Sequence, residues 1–141
     1  MKIPVLFSDH MVLQRNKPIK IWGEGTGAVT VELDGTVART YVSDGKWSVV
    51  LPSRQAGGPY TLSIKDDTDS VVFSDVYVGE VWIAAGQSNM EMITFTAQDG
   101  FETAKRLGNN DKIRLFTVPR RITPDFDGYN WHFESVKAEE K

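Results

Sequence analysis

The sequence predicts a mixed fold, in which an antiparallel β-sandwich over residues 1–78 precedes the first β-α-β portion of an α/β domain over residues 79–141. Up to residue 78, short runs of alternating apolar and polar side chains are separated by turn residues about every eight to twelve positions, as in sandwich domains. After residue 79 the pattern changes to strand, helix and strand, which is typical of a parallel sheet with a helical crossover. The chain therefore divides into two predicted domains.

Two hairpin turns are predicted in the first domain. Val29–Leu33 alternates strictly, Asp34-Gly35 supplies the turn, and Val37–Val42 forms the returning strand. Asp44-Gly45 makes a second turn into the strand Trp47–Leu51. Asp-Gly is favoured in two-residue turns because both positions need a positive φ.

Three more strands complete the predicted sandwich: Tyr60–Ile64 after the turn Gly57-Gly58-Pro59, then Val71–Phe73 and Val76–Val78. Aromatic side chains lie on or beside the strands of this domain, among them Trp22, Trp47 and Tyr60. Rings on alternating strands are usually core residues, so we interpret them as core rather than as a platform for stacking sugars.

The second domain begins with Val81–Ala85, a nearly continuous apolar run that predicts a strand covered on both faces. Phe101–Leu107 has helical spacing and is followed by the stop signal Gly108-Asn109. Ile113–Val118 predicts the next strand, which Pro119 ends. Such a crossover unit places its ligands beyond the carboxyl ends of the strands.

Ser88 is the candidate nucleophile, because it follows the first of these strands directly after a glycine turn. Gly86 is expected to allow a backbone conformation that other residues resist, and free N–H groups in the turn can stabilise an oxyanion. We expect the Ser88 N–H and the Gly86 side of the turn to supply this stabilisation, and Gln87 and Asn89 to support the turn. The block is not the nucleophile elbow with glycine at both ends, since Met90 stands at the second glycine position. The alternative is that Ser88 or Asn89 only caps a helix.

A wider set of motifs carries a family resemblance: Leu6-Phe7-Ser8-Asp9-His10-Met11-Val12-Leu13-Gln14-Arg15, Ile21-Trp22-Gly23, Asp44-Gly45-Lys46-Trp47, Ala56-Gly57-Gly58-Pro59-Tyr60 and Val78-Gly79-Glu80-Val81-Trp82 through to Met90. In order and spacing they resemble the sialate O-acetylesterase family of SGNH (GDSL-like) serine hydrolases. The resemblance implies a carbohydrate O-acetylesterase with Ser88 as its catalytic serine, no cofactor, and an acetylated sugar or sialic acid as substrate.

The resemblance also implies that part of the catalytic machinery lies outside this chain. The family supplies its catalytic histidine and aspartate from an Asp-x-x-His block that this sequence does not contain. His10 and His132 are the chain's two histidines, and we expect neither to reach Ser88 as a base. His10 is expected to be a hydrogen-bonded structural residue, and His132 to lie in a polar tail from Asp125 to Lys141.

Two strands and one helix cannot cover their own faces, so the second domain should not be stable alone. We therefore expect an N-terminal fragment that is inactive by itself. Its partner is either the remaining hydrolase-domain polypeptide or another copy of the chain.

Composition excludes several classes of function. A net charge of −3 without a basic cluster argues against nucleic acid, and no stretch approaches the roughly 20 apolar residues of a membrane span. The chain has no cysteine, and Asp66, Asp67 and Asp69 lack calcium-loop spacing, so we expect a solvated turn there and no metal site. Met1–Val5 shows no signal-peptide core. The compartment stays undetermined, and an extracytoplasmic location is implied by the resemblance alone.

Two other functions remain open at this point. One is a non-catalytic β-sandwich module that binds glycan or protein, with the segment after Gly79 as a linker and docking strand. The other keeps Ser88 as nucleophile but acts on acetylated plant polysaccharide, as an acetyl xylan esterase does.

Overall fold

The computed structural model describes residues 1–86 and 88–117 and the backbone of residues 132–135. These residues are mostly β-strand, with one α-helix and two short 3₁₀ helices. The strands are β1 (Val12–Gln14), β2 (Ile19–Glu24), β3 (Ala28–Leu33), β4 (Thr36–Tyr41), β5 (Lys46–Leu51), β6 (Gly57–Lys65), β7 (Ser70–Gly79), β8 (Arg114–Thr117) and β9 (His132–Ser135). The α-helix α1 is Gly100–Leu107, and the 3₁₀ helices are Ser88–Glu91 and Thr94–Thr96.

Three sheets contain these strands. One has five strands in the order β1-β7-β6-β3-β4, and the other two are the pairs β2-β5 and β8-β9. All neighbours are antiparallel except β1 and β7, which run parallel. The prediction of a purely antiparallel arrangement is wrong for this pair. No tight turn joins β1 to β7, so nothing local imposes an antiparallel direction on them.

The five-stranded sheet and the β2-β5 pair share one hydrophobic core. Alternate residues of β2 are buried and exposed in turn, and β5 follows the same pattern. The side chains with less than 2 % exposure come from both sheets and from the loop before β1: Met11, Ile21, Val29, Val31, Leu33, Leu51, Leu62, Ile64, Val76 and Val78. Burying a side chain of this size stabilises the folded state by about 1.5–3 kcal/mol, so this core holds the two sheets together.

Both predicted hairpin turns are confirmed. Asp34 and Gly35 have φ angles of 48° and 77°, and Leu33 pairs with Thr36 across them. Asp44 and Gly45 have φ angles of 52° and 75° within the second tight turn. A positive φ at both central positions is what a type I′ turn requires, and Asp-Gly adopts it at low cost.

The two predicted strands Val71–Phe73 and Val76–Val78 form one strand, β7. Its centre contains Asp75, which has a φ of 54°. Phe73 pairs with Leu62 and Val76 pairs with Tyr60, so β7 has one more residue than β6 between these pairs. This is the geometry of a β-bulge, which bends a strand without ending it.

The interpretation of the aromatic residues as core is confirmed for Trp47, which is 4 % exposed. Trp22 is 37 % exposed and packs edge-on against Phe7, with ring centroids 4.7 Å apart. Tyr60 is half-buried, and the Arg54 guanidinium lies 4.8 Å from its ring centre. Trp22 and Tyr60 therefore lie at the border of the core.

The helix predicted over Phe101–Leu107 is confirmed as α1, and β8 confirms the strand predicted over Ile113–Val118 as far as the described residues extend. Gly100 begins α1 where an added Cβ would lie 1.6 Å from the Thr94 carbonyl oxygen, so only glycine fits this contact. The rings of Phe95 and Phe101 lie 6.2 Å apart and join α1 to the preceding 3₁₀ helix.

The prediction of a strand over Val81–Ala85 is wrong for this structure, because residues 81–86 form no strand. Trp82 is 87 % exposed and Ile83 is 91 % exposed, so no neighbouring strand covers this apolar run. β8 pairs antiparallel with β9 instead, and β9 lies within the predicted polar tail. The parallel crossover unit is therefore absent from the described residues, since a strand needs a neighbour for its N–H and C=O groups.

The acidic cluster at Asp66 forms a turn, as predicted, but Asp66 itself is buried rather than solvated. One of its carboxylate oxygens accepts hydrogen bonds from the Thr68 N–H, the Thr68 hydroxyl and the Asp69 N–H at 2.7–2.9 Å. The other accepts from the Thr26 N–H at 3.3 Å. These donors, the Thr68 N–H above all, lower the pKa of Asp66 to about 2.

Replacing Asp66 by Ala should lower the thermal unfolding midpoint at neutral pH, because four donors lose their acceptor. A lowered pKa in the folded state means that the ionised carboxylate stabilises folding above about pH 4. That stabilisation is lost as the pH falls towards about 2. The difference in midpoint between wild type and Asp66→Ala should therefore shrink over this range in calorimetric scans.

Asp67→Ala is the matched control, since among the described residues Asp67 accepts one hydrogen bond, of 3.3 Å, from the Ala28 N–H. Equal losses for the two variants, or a difference independent of pH, would contradict the role given to Asp66.

Candidate functional site

Ser88 is the first residue of the 3₁₀ helix Ser88–Glu91, and its side chain is exposed. It follows the exposed segment 81–86, which contains no helix or strand. An exposed hydroxyl at the start of a turn is open to a substrate from solvent. Its location agrees with what a nucleophile needs, and its role stays a prediction.

The residues beside Ser88 are placed as follows. Gly86 does not have a φ in the left-handed region, and its expected role in the backbone of the turn stays a prediction. An added Cβ at Gly86 would lie 2.6 Å from Cγ of Met90, and the glycine therefore lets the Met90 side chain lie against the backbone. The Asn89 carbonyl accepts a hydrogen bond from the Met92 N–H at 3.4 Å, within the turn. Gln87 lies outside the described residues.

His10 is a structural residue, as expected. Its Nδ1 lies 2.6 Å from a carboxylate oxygen of Asp75, at the bulge of β7. Within residues 1–86 and 88–117, no hydrogen bond joins His10 to Ser88. His132 contributes backbone to β9, and the expectation that its ring does not reach Ser88 stays a prediction.

Arg114 of β8 is the centre of a polar cluster that the sequence did not predict. Its guanidinium donates to the carbonyl oxygens of His10 and Asp75 at 2.8 and 2.6 Å, and to the Asp75 carboxylate at 2.8 Å. It also lies 4.5 Å from the ring centre of Tyr77. Only 10 % of the Arg114 side chain is exposed, so this cluster joins β8 to the bulge of β7.

A second polar cluster surrounds the end of β7. The amide of Gln14 accepts a hydrogen bond from the Val81 N–H at 2.9 Å and donates one to the Glu80 carboxylate at 3.0 Å. Arg15 donates to the other oxygen of the same carboxylate. The sequence motif Leu6–Arg15 therefore contributes residues to both polar clusters.

The carboxylates of these clusters have lowered pKa values. The Ser74 N–H lowers the pKa of Asp9, the hydrogen bond with His10 lowers that of Asp75, and the Gln14 amide lowers that of Glu80. Arg114 and Arg15 act in the same direction on Asp75 and Glu80. These acids are therefore ionised at neutral pH, and Asp75 and Glu80 bind Arg114 and Arg15 by charge-assisted hydrogen bonds.

A shallow depression of about 460 Å³ covers the exposed face of β2 and β5, where Trp22 lies between Lys20, Lys46 and Ser48. Ser88 does not line it. In the part of the chain that the structure describes, no group of three or more His, Cys, Asp or Glu side chains is arranged to hold a metal ion. Nor is any helix of that part long and apolar enough to cross a membrane.

No family model matches the chain. A solved structure, a carbohydrate acetylesterase from Xanthomonas citri, superposes with a TM-score of 0.82 and 34% identity. The match covers 95% of this chain and 32% of that one. The chain therefore shares its fold with part of a protein of the carbohydrate esterase class.

Curated relatives make the assignment narrower. Sialate O-acetylesterase of Mus musculus is 31% identical over 127 residues, and that of Homo sapiens is 30% identical over 128. These similarities confirm the resemblance that the motifs indicated, to the sialate O-acetylesterase family of SGNH-like esterases. The chain spans 23–24% of the length of these relatives.

Replacing Arg114 by Met should release β8 from β7, because it removes the three hydrogen bonds to His10 and Asp75 while keeping an apolar stem against Tyr77. Hydrogen exchange at residues 113–117 should become at least about tenfold faster, since a hydrogen bond to a charged group is worth about 1.5–3 kcal/mol. Exchange in β2 and β5 should not change. Mass spectrometry of peptic fragments measures both.

Arg39→Met, on the exposed face of β4, is the control for loss of a guanidinium. The cluster would have no role in attaching β8 if Arg114→Met and Arg39→Met gave the same exchange pattern.

Proposed function

We propose that this chain is the N-terminal portion of a carbohydrate O-acetylesterase, in which Ser88 is the nucleophile that removes acetyl groups from sugar hydroxyls. The observation that carries the proposal is the exposed Ser88 at the start of a turn, inside the motif block of an acetylesterase family. Its surroundings give the hydroxyl no structural task, because among the described residues no side-chain hydrogen bond uses it.

The proposed reaction has two steps. The Ser88 oxygen attacks the acetyl carbonyl carbon while a histidine takes its proton, and the Ser88 N–H stabilises the oxyanion. One such donor is typically worth about 3 kcal/mol in the transition state. The carbon–oxygen bond to the sugar then breaks, the sugar oxygen receives the proton from histidine, and Ser88 carries the acetyl group. Water attacks this ester with the same histidine as base, which releases acetate and restores Ser88.

The histidine and its aspartate are proposed to come from outside this chain. We propose that residues 1–78 form the supporting β-sandwich and residues 79–141 begin the SGNH hydrolase domain. The 87 % and 91 % exposure of Trp82 and Ile83 supports this division, since such an apolar run needs a covering sheet. The remaining hydrolase-domain polypeptide or a second copy of the chain would supply it.

An acetylated sugar is the proposed substrate class. The mammalian relatives are named for sialate, and the Xanthomonas citri protein is named only as a carbohydrate acetylesterase. Acetylated sialic acid and acetylated plant polysaccharide are thus two candidate substrates of the same ester hydrolysis. Comparing the initial rates of acetate release from the two substrates distinguishes them.

In a protein that combines this chain with the family's histidine block, Ser88→Ala should lower kcat/KM for a chromogenic acetate ester by about 10⁴-fold or more, because no other atom replaces the attacking oxygen. Ser53→Ala, in an exposed loop, is the matched control and should keep full activity. Unchanged turnover in Ser88→Ala would end the assignment.

The 141-residue chain alone should hydrolyse the same ester no faster than its Ser88→Ala variant. The expected reason is that Ser88 has no general base, since the His10 ring is engaged by Asp75. Turnover by the purified, unpartnered chain that Ser88→Ala removes would contradict this expectation.

A further inference from the structure

The end of β7 carries a polar contact that the proposed chemistry does not use. Gln14 pairs with Gly79 where the parallel strands β1 and β7 both end. The Arg15 N–H then donates to the Gly79 carbonyl at 2.9 Å, so the pairing continues one residue beyond β1. The next residues, Glu80 and Val81, are where the chain leaves the β-sheet on its way to Ser88.

The Gln14 amide contacts the chain where it leaves the β-sheet after β7. Its oxygen accepts from the Val81 N–H, and its nitrogen donates to the Glu80 carboxylate and to the Arg15 carbonyl at 3.0 and 3.1 Å. One side chain therefore fixes both a backbone group and a side chain at the exit. An amide has the donor and the acceptor that this double contact requires, and an apolar residue of the same size has neither.

These are the last hydrogen bonds before the candidate nucleophile. Between Val81 and Ser88, the described residues make no further hydrogen bond to β1–β7. Residues 81–86 form no helix or strand, so the contacts at Glu80 and Val81 orient the start of this segment.

The distance from Val81 to Ser88 is long enough for a change of direction at Val81 to affect catalysis. Seven residues from Val81 to Ser88 span up to about 23 Å when extended. A change in direction of about 10° at Val81 then moves Ser88 by up to about 4 Å. A misplacement of about 1 Å can already cost about a hundredfold in rate.

We infer that Gln14, together with Glu80 and Arg15, is a positioning residue that sets the direction of the segment carrying Ser88. The inference rests on the proposed function. The ion pair of Arg15 and Glu80 is 40 % and 46 % exposed, so it contributes little to folding stability. Its effect is on geometry, because it holds the Glu80 carboxylate where Gln14 can reach it.

A charge swap tests the contact without removing its shape. Gln14→Glu places two carboxylates against each other, whereas Gln14→Glu combined with Glu80→Gln restores one acid and one amide at the same two positions. Gln55→Glu, on an exposed loop, is the control for added negative charge. A double-mutant cycle over Gln14 and Glu80 separates their interaction from the individual effects.

The first measurement uses this chain. Amide exchange of Val81, followed by NMR, should become at least about tenfold faster in Gln14→Glu and return towards the wild-type rate in the double variant. Amides of β3 and β6 should keep their protection, which shows that the fold is intact. Unchanged exchange at Val81 in Gln14→Glu overturns the inference, whatever Ser88 does.

The second measurement uses the protein that carries the histidine block. Gln14→Glu should lower kcat by about 10- to 100-fold with KM changed less than about twofold, and the double variant should recover to within about threefold of wild type. If Ser88→Ala is inactive but Gln14→Glu keeps full kcat, the contact exists without positioning Ser88 and the inference fails alone. If Ser88→Ala keeps full activity, the proposed function fails, and the role in catalysis fails with it.

Discussion

The parallel pairing of β1 with β7 is the constraint on which the candidate site depends. β1 has only three residues, yet its pairing places Gln14 beside Gly79 at the point where the β-sheet ends. The loop before β1 is held to the same strand, because the His10 N–H donates to Ser74 and Asp9 accepts from Ser74. Both polar clusters require this alignment.

The two halves of the chain are stabilised by different forces. Residues in β2–β7 bury nearly all of their inward apolar side chains in one core. Between residues 80 and 117, the large apolar side chains that the structure describes are mostly exposed, including Trp82, Ile83, Phe95 and Phe101. Hydrophobic burial therefore gives the first half its stability, whereas β8 is held to it by polar contacts of Arg114. Only 10 % of the Arg114 side chain is exposed, so these charge-assisted hydrogen bonds both fix the position of β8 and contribute to its attachment.

How much the sequence could predict differs between these halves. The turns at Asp34-Gly35 and Asp44-Gly45 and the helix at Phe101–Leu107 follow from local chemistry, so they were predicted correctly. A strand at Val81–Ala85 depends on a neighbouring strand that the described residues do not provide. An apolar run predicts that the segment is buried, but it does not show which part of the protein covers it.

The polar clusters could not be predicted for a related reason. Arg114 and Asp75 are 39 positions apart, and Gln14 and Val81 are 67 apart, so no local pattern connects them. The parallel pairing of β1 with β7 could not be predicted for the same reason, because the two strands are far apart in the sequence. The sequence does contain polar residues within otherwise apolar motifs. Their presence indicates that they have a role, but it does not show which residues they contact.

The division of tasks between the motifs follows from these contacts. The block around Ser88 carries the proposed chemistry, but it follows a segment that makes no hydrogen bond of its own to the β-sheets in the described residues. The position of a nucleophile on such a segment depends on the residues that hold the first residues of the segment. The motif Leu6–Arg15 carries no proposed chemical step, yet it supplies Gln14 and Arg15, which contact Val81 and Glu80 where that segment starts. Its polar side chains are therefore explained by the position of Ser88 as well as by the stability of the sheet.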